Sequence, residues 1–164
     1  MEKLSARAAQ DTRQDWRDFG YYYAIDDTAK EWHLHGSASG LLNFAHSLEA
    51  YAANPASAGP SEHEHLGPHM YLVLTTWPTA KLDGHGVFGQ AGDLLRLASV
   101  VRGYLASASA GQVLRICQEF TPSAEYTLCL HVHQDGFEPA SLDPQLAGKQ
   151  FGQADAARAA KFKR

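Results

Sequence analysis

Cysteine is scarce in this chain: two residues in 164, Cys117 and Cys129. Each sits in an apolar, strand-like run (ICQ and LCL), which favours two free thiols over a disulfide, and the absence of CxxC excludes a Cys-rich metal site. The pair is expected to be two small core thiols. No apolar run approaches the roughly 18 residues needed to span a bilayer. The opening MEKLSARAAQDTRQDW has no apolar signal-peptide core, so a cytoplasmic protein is expected. Motifs of chemistry are missing as well. There is no G-x-S-x-G elbow, no phosphate-cradling P-loop and no G-x-G-x-x-G opening a helix, and an enzyme is not expected.

Basic residues are few in the body of the chain. Residues 20–143 hold thirteen acidic and five basic side chains, a balance of −8. Residues 1–19 are neutral, with four of each sign, and residues 144–164 carry one acid and five bases. An acidic body excludes nucleic acid as the main partner, because phosphates need a basic surface. It fits a protein that docks on something basic. The tail AARAAKFKR reads as a solvated basic helical end. With 45% hydrophobic and 20% charged residues, the chain is expected to form one ordinary globular domain, 20–143, between an N-terminal arm (1–19, with Trp16 and Phe19 as anchors) and the basic tail (144–164).

What the sequence does have is alternation and a repeat. FGYYYAID (19–26) and EWHLHG (31–36) read as strands joined by DDTAK. A helix follows with Ser37 or Ser39 as N-cap, an apolar stripe of Leu41, Phe44, Ala45, Leu48, Tyr51 and Ala52, and a stop at Asn54-Pro55. After a polar loop come strands at 70–77 and 84–89. A second helix starts at Gln90 or Asp93 with an apolar stripe of Leu94, Leu95, Leu97, Ala98, Val101, Tyr104 and Leu105, and strands follow at 112–120 and 125–133. GSASGLLNFAHSLEAYAANPAS aligns with GQAGDLLRLASVVRGYLASAS at a constant offset, Gly36 on Gly89 and Tyr51 on Tyr104. Two units are too few for a solenoid. The expected fold is therefore α+β: a two-layer sandwich whose mainly antiparallel sheet is covered on one face by two helices. It is built from two strand–helix–strand units, 31–77 and 84–133.

Histidine is the conspicuous functional residue. Three His-x-His pairs occur: HLH (33–35), HEH (63–65) and HVH (131–133). Strand alternation turns Trp32, Leu34, Leu72, Leu74, Tyr126, Leu128, Leu130 and Val132 inward. It turns His33, His35, Tyr71, Val73, Thr75, Cys129, His131 and His133 outward. Imidazoles two apart on a strand reach one ion, so His63, His65 and His69, with His131 and His133, form a candidate metal set. Weighed against it, no cofactor is expected. The densest cluster, SEHEHLGPH, lies in a polar loop, and loops carry contacts. Glu62, His63, Glu64, His65, His69, Tyr71 and Trp77 are thus the candidate partner-binding residues. A bare outer sheet face with Tyr71 and Val73 also fits pairing with a second copy.

Gly36-Ser37, the helix from Leu41 to Ala52, and His63-Glu64-His65-Leu66 leading into a strand resemble the immunity protein thirty-two family of bacterial polymorphic toxin systems. The resemblance covers about residues 30–77. It implies a non-enzymatic cytoplasmic protein that binds a cognate toxin and blocks its active site. Basic-clefted nucleases are among such toxins, and an acidic body suits them.

Overall fold

The computed structural model describes residues 4–146. Three helices and eight strands alternate along them: α1 (Ala6–Phe19), β1 (Tyr22–Asp26), β2 (Glu31–Ser37), α2 (Ala38–Ala53), β3 (His63–Leu66), β4 (Leu72–Thr76), β5 (Lys81–Asp83), β6 (Gly86–Gly89), α3 (Ala91–Ala106), β7 (Val113–Ile116) and β8 (Thr127–His133). The fold is α+β. Among the described residues no helix is long and apolar enough to cross a membrane.

The strands form two four-stranded sheets rather than the one expected. Sheet A has the order β1-β2-β8-β7 and sheet B the order β3-β4-β6-β5. Four of the six pairings are antiparallel hairpins, and the central pair of each sheet, β2 with β8 and β4 with β6, is parallel. The repeat is real but larger than a strand–helix–strand unit. Each half is hairpin–helix–hairpin, β1-β2-α2-β3-β4 and then β5-β6-α3-β7-β8. The two helices start and end 53 residues apart, Ala38 to Ala91 and Ala53 to Ala106. The halves exchange hairpins: the first of one half pairs with the last of the other in both sheets. Neither half closes a sheet alone, because β2 and β4 would each expose an unpaired ladder of backbone groups.

α2 and α3 pack on each other and cover the inner faces of the sheets, α2 against β2 and β8, α3 against β6. Leu41, Phe44, Ala45 and Leu48 of α2 and Leu94, Leu97, Ala98 and Val101 of α3 are fully buried. So are Trp32, Leu34, Leu74 and Leu130, and Leu72 and Leu128 nearly so, on the strand faces that alternation assigned to the inside. Tyr126 departs from that reading. It lies just before β8, is only partly buried, and its hydroxyl donates to Asp27 Oδ1 (2.8 Å). The sheets are tied together by Trp32 Nε1–H donating to Asp83 O (2.7 Å) and by the N–H groups of Glu125 and Tyr126 donating to Leu82 O (2.9 and 3.1 Å).

The N-terminal arm folds as a helix over Ala6–Phe19. Ser5 Oγ accepts from Ala8 N–H (3.1 Å), and Gly20 at φ 95° closes the other end, donating to Trp16 O (3.0 Å). Its buried stripe is narrow, Ala9 and Trp16, two turns apart, too little for apolar periodicity to mark a helix. One indole does most of the docking: Trp16 is fully buried against Phe19, Tyr22, Tyr23 and His69.

α1 meets α2 at a close backbone crossing. A Cβ on Gly40 would lie 2.2 Å from Gly20 O, and Asn43 Nδ2–H donates to Phe19 O (2.9 Å) beside it. Gly40→Ala is therefore expected to destabilise by about 2–3 kcal/mol, since neither backbone can yield. Gly103, exposed in α3 with open space around its Cα, is the control: Gly103→Ala should stabilise by about 0.5–1 kcal/mol. Urea denaturation of the two variants reads both signs.

Candidate functional site

SEHEHLGPH is in part a strand rather than wholly a loop. His63–Leu66 is strand β3, paired with β4 in the register His63↔Thr75, Glu64↔Leu74, His65↔Val73 and Leu66↔Leu72. Leu66 is its only buried member and holds the hairpin to the core, and Tyr23 Oη–H donates to Leu66 O. The turn between β3 and β4 uses Gly67 (φ 74°) and Met70 (φ 61°), both left-handed. β3 ends sheet B, so Glu62, His63, Glu64 and His65 stand exposed along a sheet edge. His63 Nδ1–H donates to Ser61 O (3.2 Å) and His65 Nδ1–H to Met70 O (2.7 Å). The two rings meet edge to face at 5.1 Å.

His69 leaves that group. Its Nε2 lies 3.2 Å from Asp143 Oδ2, a fully buried oxygen that also accepts Trp16 Nε1–H at 2.7 Å. Burial raises the Asp143 carboxyl, but hydrogen bonds from His69, Trp16 and Gln145 N–H outweigh it and hold the group below the usual carboxylate range. The expected triad of His63, His65 and His69 is thus corrected. Two histidines line an edge, and the third is turned into a clasp joining α1, the β3–β4 turn and the segment around Asp143.

The remaining expected contact residues also divide. Tyr71 is half-exposed, with its ring stacked between His69 (5.8 Å) and Trp32 (6.2 Å) and set edge-on to Tyr23 (5.0 Å). Exposed Met70 stands beside it. Trp77 lies just beyond the opposite end of β4, roughly 20 Å along the strand at about 3.3 Å per residue. It packs edge-on to Phe88 (6.1 Å) under Lys81 Nζ. With Tyr51, Ser57, Pro60, Thr76 and Pro78 it lines a mostly apolar cleft of about 350 Å3. Of the seven, Glu62, His63, Glu64, His65 and Tyr71 share the β3–β4 hairpin, His69 belongs to the clasp, and Trp77 lines the cleft. The 144–164 tail lies largely outside the described residues.

The other two His-x-His pairs converge because β2 pairs with β8, a pairing order that the sequence does not carry. In that parallel register His33 faces Cys129, His35 faces His131 and Ser37 faces His133. Four imidazoles line the outer face of sheet A. His33 Nδ1 and His131 Nε2 are 2.7 Å apart, and His35 Nδ1 and His133 Nε2 3.1 Å. The His35 and His131 rings stack at 4.1 Å, and Phe137 caps His133 at 3.9 Å. Burial, and then the neighbouring imidazoles, push His35 down to about 3; burial and the same like-charge crowding push His131 down to about 4. Burial also lowers His133. These shifts favour the neutral imidazole at His35, His131 and His133.

Below the ladder, Arg115 covers Cys129. Its Nη2–H donates to Glu31 Oε2 (2.6 Å), and Nη1 lies 3.5 Å from Cys129 Sγ. The hydrogen bond from Arg115 holds the Glu31 carboxyl below its usual value. Burial pushes the Cys129 thiol up to about 11, so it is no nucleophile.

No protein-family model, no curated protein and no solved structure matches this chain.

Proposed function

We propose that this chain is a non-enzymatic cytoplasmic protein that neutralises a cognate bacterial toxin by direct contact, occluding its active site with the β3–β4 hairpin. The observation carrying this reading is the exposed edge strand: Glu62, His63, Glu64 and His65 in a row, with Met70 and Tyr71 at the end of the hairpin. An apolar group beside charged ones, on a strand with an open backbone edge, is the composition of a protein contact. The acidic body supports a basic partner. Four of its five basic side chains, Lys81, Arg96, Arg102 and Arg115, are engaged by Asp83, Asp93, Glu49 and Glu31, whereas Glu62 and Glu64 belong to none of the described ion pairs. The resemblance of residues 30–77 to toxin-immunity proteins supplies the kind of partner.

The test is co-expression with the product of the neighbouring gene. The chain should co-purify with it and rescue growth. The double variant Glu62→Lys, Glu64→Lys should slow association about tenfold at low salt, with the difference shrinking as salt rises, while its melting temperature is unchanged. A neighbouring product that is no toxin, or a toxin the chain neither binds nor neutralises, refutes the reading.

A further inference from the structure

The lower end of the histidine ladder brings together three different ligand types. Glu31, His33 and Cys129 each offer one ligand atom, and these atoms lie within 4.8 Å of one another. The backbone arranges this. Glu31 and His33 are two apart on β2 and share its outer face, and Cys129 is the direct partner of His33 on β8. The set is half-buried to buried, with Cys129 fully covered.

We propose that Glu31, His33 and Cys129 form a binding site for one zinc-class divalent cation. A mixed oxygen, nitrogen and sulfur set suits a borderline-soft ion. Metal–ligand bonds of about 2.0–2.3 Å put tetrahedral ligands roughly 3.3–3.8 Å apart. Glu31 Oε1 and His33 Nε2 are already 3.3 Å apart, and closing the rest needs about 1 Å of side-chain movement. His33 has its other nitrogen committed: Nδ1 faces His131 Nε2 at 2.7 Å. That is the arrangement in which a ligating histidine is oriented by a neighbour, and it makes His131 a positioning residue. Three ligands leave a fourth position for water.

Arg115 completes the argument. Its guanidinium spans Glu31 and Cys129, holding positive charge where the cation would sit. The side chain is more than half exposed and free to swing into solvent. Metal entry displaces the guanidinium and the Cys129 Sγ proton, and the cation takes over the neutralisation of Glu31. The repeat shows that the fold does not require these side chains. In sheet B the pair Gly86↔Val73 stands where His33↔Cys129 stands in sheet A, and Phe88↔Thr75 stands for His35↔His131.

Cobalt(II) titration of the chelator-stripped, tag-free full chain tests the proposal. One equivalent should produce a thiolate-to-cobalt charge-transfer band, which zinc then abolishes. Cys129→Ser should remove the band, and His33→Ala should weaken zinc binding by about tenfold or more. Arg115→Gln should tighten it severalfold, a direction that loss of a structural ion pair does not produce. His63→Ala with His65→Ala should leave it unchanged. Circular dichroism of the metal-free variants checks folding, and His33→Ala carries the test if Cys129→Ser is unstable. No band in the wild type, or zinc binding that survives both ligand substitutions, overturns the proposal.

Discussion

Trp16→Ala should cost about 4–5 kcal/mol of unfolding free energy, the upper end of what removing a buried indole costs. The ring is fully buried and touches Phe19, Tyr22, Tyr23 and His69. Its removal opens a cavity at the junction of α1, sheet A and the β3–β4 turn. It also takes the closest donor from Asp143, at 2.7 Å, a carboxylate with no exposure to water. Removing one partner of a buried polar pair leaves the other unsatisfied, which costs more than the bond contributed. Trp16→Phe separates the two effects. It retains most of the packing and loses only the donor, so about 1–3 kcal/mol is expected. Asp143→Ala should cost about 3–5 kcal/mol for the mirror-image reason, leaving Trp16 Nε1–H and the Gln145 N–H without their acceptor. Urea denaturation at pH 7.5 measures all three. A cost below about 0.5 kcal/mol for Trp16→Ala, the value for an ordinary surface position, would mean that α1 contributes nothing to the folded core.

The second large effect is acid lability, well above the pH at which carboxylates titrate. His35 and His131 are held at about 3 and about 4, below the 6.5 of an ordinary histidine in the unfolded chain. Between those limits the unfolded chain binds more protons, so stability falls as pH falls. Their contribution is complete above about pH 6.5, is lost progressively below it, and levels off near the folded values. Each imidazole costs about 1.4 kcal/mol per pH unit inside the window. Going from pH 6.5 to 4.5 should therefore remove up to about 5 kcal/mol for the two. Glu31, Glu49 and Glu119 are lowered from 4.5 and act only further down. Protonation charges rings stacked at 4.1 Å across the β2–β8 seam, where the two halves of the chain meet. Denaturant midpoints measured with EDTA at pH 7.5, 6.5, 5.5 and 4.5 give the slope. His35→Phe with His131→Thr, the pair that sheet B uses at the equivalent positions, should flatten it by about two protons. His63→Gln with His65→Gln should leave it as it was, since those rings stand exposed on an edge. An unchanged slope in the first double variant refutes the mechanism.

The site was legible in part, and the reason is the range of the interactions involved. The faces of β2, β4 and β8 follow from alternation, a property of neighbouring residues, so Trp32 and Leu34 point inward and His33 and His131 outward without knowledge of any partner strand. β3 was hidden because a four-residue edge strand with one buried side chain carries almost no periodic signal. His69 was misread for a related cause. A six-residue separation from His63 says nothing about a carboxylate at position 143.

By itself, then, the chain's own pattern determined the α+β class, both long helices, the internal repeat, and the inside and outside of the central strands. These depend on contacts within a few residues and on the 3.6- and 2-residue periods. Tertiary structure alone decided three things. The repeated halves exchange hairpins to make two sheets, α1 is pinned by Trp16 to Asp143, and HLH and HVH form one ladder ending in Glu31, His33 and Cys129 while HEH stays apart. Each of these joins residues separated by about a hundred positions or exchanges pairing between two similar hairpins. The free energy that selects the partner comes from closing the sheets and burying the shared core, and no local segment carries it.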